Sequence, residues 1–306
     1  MKRLFLAFIG ALLMTHTSAH AADWDTGVSA YEAGDYASAL VEFSELAEQG
    51  DANAQNKLGF MYQSGRGVAQ DFAEAVVWYT LAAEQGHASG QTNLGTMYQH
   101  GLGVEQNTQE ALKWIKLAVE QGYPRAQTKL GGMYSSGRHV AKDYDAAIHW
   151  YTLAAEQDYA WAQYYLGRLY DTGKGVELDY AVALSWYTLA VEQGHAASQN
   201  KLGVMYQNGN GVAQDYAEAF EWFTLAAEQG RSEAQYNLAN MYASGNGTEQ
   251  DNTLAQMWMI VSAENGYRLA KENIDKIAES MSGSEIETAQ RMAQECISSD
   301  YSDCGY

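Results

Sequence analysis

The chain has 306 residues, of which 18 are basic and 38 acidic, giving a formal net charge of −20 at neutral pH. A field of that sign repels nucleic acid and anionic lipid surfaces, so neither is expected as a partner; neutral or basic partners are favoured.

The first residues read "MKRLFLAFIGALLMTHTSAHAAD". Lys2 and Arg3 form a basic start, and Leu4 to Met14 is an apolar run of eleven residues. That run is too short to span a bilayer, which takes ~20. Ala19-His20-Ala21 fits the small-x-small cleavage rule, so residues 1–21 are expected to be a secretory signal peptide cut after Ala21. No cysteine stands at the cut, which argues against a lipoprotein. The expected location is the periplasm or the cell exterior, without stable membrane insertion. Loss of Lys2 and Arg3 with the signal would take the charge from −20 to near −22.

Residues 22–50 read as a short opening helix pair joined by "EAGDY" (32–36). From there the chain repeats. "AEQG" ends at Gly50 and Gly86, and variants end at Gly122, Asp158, Gly194, Gly230 and Gly266, always 36 residues apart. Six units follow: 51–86, 87–122, 123–158, 159–194, 195–230 and 231–266. A period of this length marks a repeat architecture.

Each unit reads helix, loop, helix. Gln holds the fifth position (Gln55 to Gln235), Leu the eighth (Leu58 to Leu238) and Tyr the twelfth (Tyr62 to Tyr242). The ninth is Gly in five units and Ala239 in the sixth. Positions 5, 8, 9 and 12 form one helical stripe, whose small ninth residue lets a neighbouring helix approach closely. Gly at position 15 suits the left-handed closure of the first helix. Asp71, Asn107, Asp143, Asp179, Asp215 and Asp251 are candidate N-caps of the second helix. Glu74 and Glu218, three residues after their Asp, suggest capping boxes. The second helix carries Ala at position 25 and Trp at position 28 (Trp78 to Trp258). One helix pair cannot bury so many aromatics, whereas stacked pairs can. Pro124 falls in a first helical turn, where proline is tolerated.

Residues 267–306 supply closing helices, one lined by Ala270, Ile274 and Ala278, the next by Ile286, Ala289 and Ala293, with Ser282 and Glu285 as a capping box. Cys296 and Cys304 are an even pair in a chain expected to be exported, which favours a disulfide.

Motifs for catalysis are missing. The loop "GxG" follows a helix, lacks a third Gly and is not followed by Gly-Lys-Ser/Thr, so it reads as a turn rather than a phosphate cradle. No histidine pair has the spacing of metal ligands, and no GxSxG or SxxK occurs. No catalytic residue, metal or cofactor is expected. His139 occupies a loop position held by Gly67 and Gly211 in sister units. A positive φ is harder for His, so that loop is expected to differ in shape.

The stretch "LGVMYQNGNGVAQDYAEAFEWFTLAAEQG" (202–230) resembles the Sel-one-like repeat, a relative of the tetratricopeptide repeat. The resemblance implies an all-α fold: a right-handed α-solenoid of stacked antiparallel helix pairs whose first helices line a concave face. It also implies an adaptor or scaffold, in bacteria often secreted. A cysteine-rich branch of that family is associated with β-lactam hydrolysis or binding. Its hallmark is a cysteine pair in every unit, which this chain lacks, so the activity is not carried over.

Positions 3, 6, 10 and 13 share a helical face and vary from unit to unit. The resemblance makes that face concave. In the fourth unit, "YAWAQYYLGRLY" (159–170), it carries Trp161, Tyr164 and Arg168, followed by Asp171, where the fifth unit has Ala197, Asn200 and Val204. Arg125 lies one unit before and Tyr236 two units after. Trp, Tyr and Arg are enriched among binding hot spots, so these six residues are the candidate protein- or peptide-binding site. A second role stays open: Trp161 and Tyr164 could instead fill a gap left by small neighbours such as Gly132 and Ala197.

The expected molecule is a monomeric, exported, non-catalytic scaffold that holds a protein or peptide partner, such as an envelope or membrane protein. Arg125 and Arg168 are able to meet a local carboxylate. The alternatives are an accessory factor for cell-wall glycan, a regulator of a membrane sensor or motor, and a hydrolase.

Overall fold

A computed structural model of the chain describes residues 22–304. The expected signal segment, residues 1–21, lies outside the described residues. Among these there are sixteen α-helices and no strand. They fall into two compact units, one running to Ala118 and the other from Val119. The division lies within a helix and not at a boundary between 36-residue repeats.

The first unit holds α1 (Trp24–Glu32), α2 (Tyr36–Glu48), α3 (Ala52–Ser64), α4 (Phe72–Glu84), α5 (Ala88–His100) and most of α6 (Thr108–Glu120). The second holds α7 (Pro124–Ser136), α8 (Tyr144–Ala155), α9 (Ala160–Thr172), α10 (Tyr180–Val191), α11 (Ala196–Asn208) and α12 (Tyr216–Glu228). It ends with α13 (Ser232–Ser244), α14 (Asn252–Glu264), α15 (Arg268–Ala278) and α16 (Gly283–Ser298). Within each unit, most helices adjacent in sequence pack on one another, and the last, α16, packs on α14. This is the stacking of an α-solenoid, in which each pair buries its apolar face on its neighbours.

The repeated residues explain the elements. The first helices close on Gly65, Gly101, Gly137, Gly173, Gly209 and Gly245, all left-handed, with φ between 61° and 72°. His139 adopts φ 71°, matching Gly67 at 75° and Gly211 at 73°. The expectation of a different loop is therefore corrected: the histidine takes the strained conformation and the loop keeps its shape. Each second helix starts on its cap side chain, as Asp71 Oδ1 accepts from the amides of Ala73 and Glu74.

The capping boxes expected at Glu74 and Glu218 do not form. The cap's own amide is already used: that of Asp71 donates to the Tyr62 carbonyl at 2.9 Å, and that of Asp215 to the Tyr206 carbonyl at 3.0 Å. The same bond closes every repeat loop, including Asp143 to Tyr134 and Asp179 to Tyr170. Outside the repeats, the Ser282/Glu285 box does form.

Burial is decided one residue past the repeated tryptophan. Trp258 is fully buried, but the others are only partly so. The fully or nearly fully buried ring is at position 29: Tyr79, Tyr151, Tyr187 and Phe223. Each lies on the ninth-position glycine of its own repeat. A Cβ added at Gly167 would stand 2.6 Å from the Tyr187 ring, and one at Gly203 would stand 2.6 Å from Phe223. In the sixth repeat the thinner Met259 replaces the ring, and Ala239 replaces the glycine.

The fifth-position glutamine joins the pairs. Gln235 is fully buried; its amide donates to the Ala227 carbonyl at 3.1 Å, and its oxygen accepts from Asn265 at 2.9 Å. The Gln of "AEQG" repeats this in both units, with Gln85 donating to Gln55, Gln157 to Gln127, Gln193 to Gln163 and Gln229 to Gln199. The chain of bonds ends in the tail, where the Tyr301 hydroxyl donates to Asn265 at 2.9 Å. Cys296 and Cys304, both buried, are bridged and close the loop that carries Tyr301.

Candidate functional site

The six candidate residues all lie in the unit that begins at Val119, on the first helices of its repeats. They divide into side chains that pack and side chains that do not.

Tyr164 packs. It is 7% exposed and sits with Ala183, Tyr187, Ala197 and Leu202. The ring fills the space beside Ala197, the second of the two roles the sequence left open for it, and burial pushes its hydroxyl pKa up. Asp171 is also committed. It accepts from the Tyr187 hydroxyl at 3.3 Å and pairs with Lys201 at 3.8 Å. Tyr236 packs at 5.2 Å on Tyr267 and accepts from Asn273 at 3.4 Å.

Trp161 is different. It is 45% exposed, with its ring set edge-to-face on His195 at 4.6 Å and on Tyr164 at 6.2 Å. Arg168 is exposed, its guanidinium 5.7 Å above the Tyr164 ring. Arg125 is exposed on α7. Neither arginine makes an ion pair among the described residues.

The variable face therefore does two jobs. Its residues meet the next repeat in matched pairs. Asn56 accepts from Asn93 and Asn200 from Asn237, both at 2.9 Å, and Asn53 meets His87 at 3.2 Å. In the fourth repeat Trp161 stands where Asn53 stands in the first, and it meets the next repeat's histidine, His195, by ring contact. This explains much of the aromatic content of "YAWAQYYLGRLY": Tyr164 and Tyr165 join the core, and Trp161 lies over them half in solvent.

His195 and Lys129 lie outside the four compared positions and were not singled out by the sequence pattern. His195 stands at position 1, the N-cap of α11. Its Nδ1 lies 2.9 Å from Ser198 Oγ, while its Nε2 is buried without a partner among the described residues. Burial, followed by the charge of Arg231, holds its pKa down at about 4. Lys129, at position 7, lies outside the four positions that were compared. Burial and then the neighbouring Arg125 lower its pKa to about 8.

A pH dependence follows from His195. Its folded pKa of about 4 lies below the usual value near 6.5 in an unfolded chain, so the unfolded state binds more protons between those values. Stability contributed by the neutral ring is complete above pH ~6.5 and is lost as pH falls towards ~4. The linkage is worth about 2 kcal/mol, since solvent at the ring screens part of the full shift. Urea titrations of wild type and His195→Gln should diverge in slope over that window, with the variant less acid-sensitive. Parallel curves would show that the ring is not desolvated as described.

Among the described residues, no three His, Cys, Asp or Glu side chains converge as a metal-binding group, and no helix is long and apolar enough to cross a membrane.

The Sel1 repeat family model matches residues 52–87, 88–123, 124–159, 162–195, 196–230 and 232–267. Its phase lies close to that of the 36-residue units. Among solved structures, a Sel1 repeat protein from Oxalobacter formigenes is 33% identical, with a TM-score of 0.66 over 78% of this chain and 95% of that one. The protective antigen c5321 of uropathogenic Escherichia coli, described as displaying an SLR fold, is 31% identical over 90% of this chain and 69% of that one, with a TM-score of 0.49. The immunity protein Pa5087 from Pseudomonas aeruginosa shares the fold at 22% identity and a TM-score of 0.52, over 70% of this chain and 81% of that one. No curated protein matches the chain.

Proposed function

The chain belongs to the Sel1 repeat family, and from that premise we propose that it is an exported, monomeric, non-catalytic scaffold. It holds a protein or peptide segment on the first-helix face of the unit that begins at Val119. The observation that carries this reading is the exposed Trp161 on the same first helix as Arg168, with Arg125 on the first helix of the preceding repeat; neither arginine has an ion-pair partner among the described residues. An indole with one face in water and two arginines without counter-charges are the side-chain types that dominate binding energy at interfaces. Export is supported by the pattern of residues 2–21 and by the bridge between Cys296 and Cys304, a bond of oxidising compartments.

Site-specific photocrosslinking in native envelopes tests the reading. A crosslinker placed at Trp161 should trap a discrete partner, whereas one at Glu221, on a second helix, should not. Equal trapping from both positions, or none from either, would remove this face as the docking surface. N-terminal sequencing of native material should begin at Ala22; a start at Met1 would contradict export by cleavage.

A further inference from the structure

Charge in the unit that begins at Val119 is segregated by helix. The first helices α7, α9, α11 and α13 carry four basic and two acidic residues, while the second helices α8, α10, α12 and α14 carry five acidic residues and no basic one. Both first-helix carboxylates are already engaged, Asp171 with Lys201 at 3.8 Å and Glu233 with Arg231 at 2.5 Å. Arg125, Lys129 and Arg168 remain without an ion-pair partner among the described residues. Resting on the docking face proposed above, we infer that its occupant is acidic: an extended segment of a protein partner whose carboxylates meet Arg125, Lys129 and Arg168 while an adjoining apolar side chain covers Trp161.

Several observations converge on that chemistry. Arg125 and Lys129 are four residues apart on α7, where like charges face one another and destabilise the helix surface. No ion pair among the described residues relieves them, and the Lys129 pKa is lowered by burial first and by the charge of Arg125 second. Arg168 is held over the Tyr164 ring, which orders the guanidinium and leaves its planar set of donors free for a carboxylate. Trp161 supplies apolar surface beside it.

The net charge of −20 would suggest the opposite partner, a basic one. Distance decides between the two. At physiological ionic strength the screening length is ~8 Å, shorter than the ~10 Å diameter of a helix. Carboxylates on the second helices are therefore largely screened from a ligand on the first, and the local cations set the sign.

The test uses the full mature chain with its disulfide intact. Short random peptides displayed on phage are selected on the wild type, and the recovered sequences are synthesised with and without Glu→Gln and Asp→Asn replacement. Their affinities are then measured on wild type, Arg125→Glu/Arg168→Glu and Trp161→Ala. The expected peptides are rich in Asp and Glu around one apolar residue. They should lose about tenfold or more in affinity on the charge-reversed protein and on neutralisation, and weaken as salt rises. Neutral or basic peptides that still depend on Trp161 would overturn the acidic assignment and leave the docking face standing. Peptides indifferent to all these substitutions, or a selection that enriches nothing, would overturn both. A labelled single-stranded oligonucleotide that binds the same arginines more tightly than the acidic peptides would also overturn the assignment. Matching thermal unfolding of the variants and wild type separates lost binding from lost fold.

Discussion

Gly203→Val is expected to cost the unit that begins at Val119 about 3 kcal/mol or more. A Cβ at Gly203 meets Phe223 Cε1 at 2.6 Å, closer than carbon atoms approach, and Phe223 is fully buried with no room to retreat. The added side chain must therefore push α11 off α12. The sixth repeat shows how the clash is avoided, by pairing Ala239 with Met259. Gly203→Ala alone should destabilise despite its better helix propensity, and Gly203→Ala/Phe223→Met should recover most of that loss. A double-mutant cycle by urea denaturation should give a coupling of about 2 kcal/mol. Additive effects would show that the small ninth residue does not exist to seat the ring.

Gln235→Leu should cost about 2 kcal/mol, although it exchanges a polar side chain for an apolar one of similar size. The Ala227 carbonyl would lose its side-chain donor and keep the Gly230 amide, and the Asn265 amide would lose its acceptor in a part-buried site. Asn265→Ala leaves the bond from Gln235 to Ala227 in place, removes the part-buried bonds to Gln235 and Tyr301, and should cost about 1 kcal/mol. Hydrogen exchange should place the damage of Gln235→Leu in α12 to α14 and leave α7 protected, because contacts in a stacked array run between neighbours. An apolar substitution as stable as wild type would mean that the glutamine chain is incidental.

The fold was legible because its signals repeat. Asp caps, closing glycines and the fifth-position glutamine recur at fixed spacing, so six imperfect copies report one structure. What the pattern hid was pairwise. Glu74 has the right spacing for a capping box, but the amide it would take is bonded to Tyr62, and only the closed loop reveals that. Tyr164 and Trp161 are both large aromatics on one variable face, yet Ala197 gives Tyr164 a place to enter the core while His195 holds Trp161 at the surface. Lys129 was missed because position 7 lies outside the four compared positions; counting charge by helix, instead of by chain, would have found it.

Docking on the first-helix face requires Trp161 to be a contact for a partner and not a plug in the stack. Its most direct test measures melting temperature and affinity on the same samples of wild type, Trp161→Ala and Leu166→Ala, using the partner trapped from position 161. Leu166 is buried, so its truncation should lower stability by about 2–5 kcal/mol. If the account holds, Trp161→Ala binds about thirtyfold more weakly or worse, a loss of ~2 kcal/mol, and melts close to wild type. If Trp161→Ala instead melts as low as Leu166→Ala and binds with unchanged affinity once folded, the indole belongs to the core and the docking face is not where it has been placed.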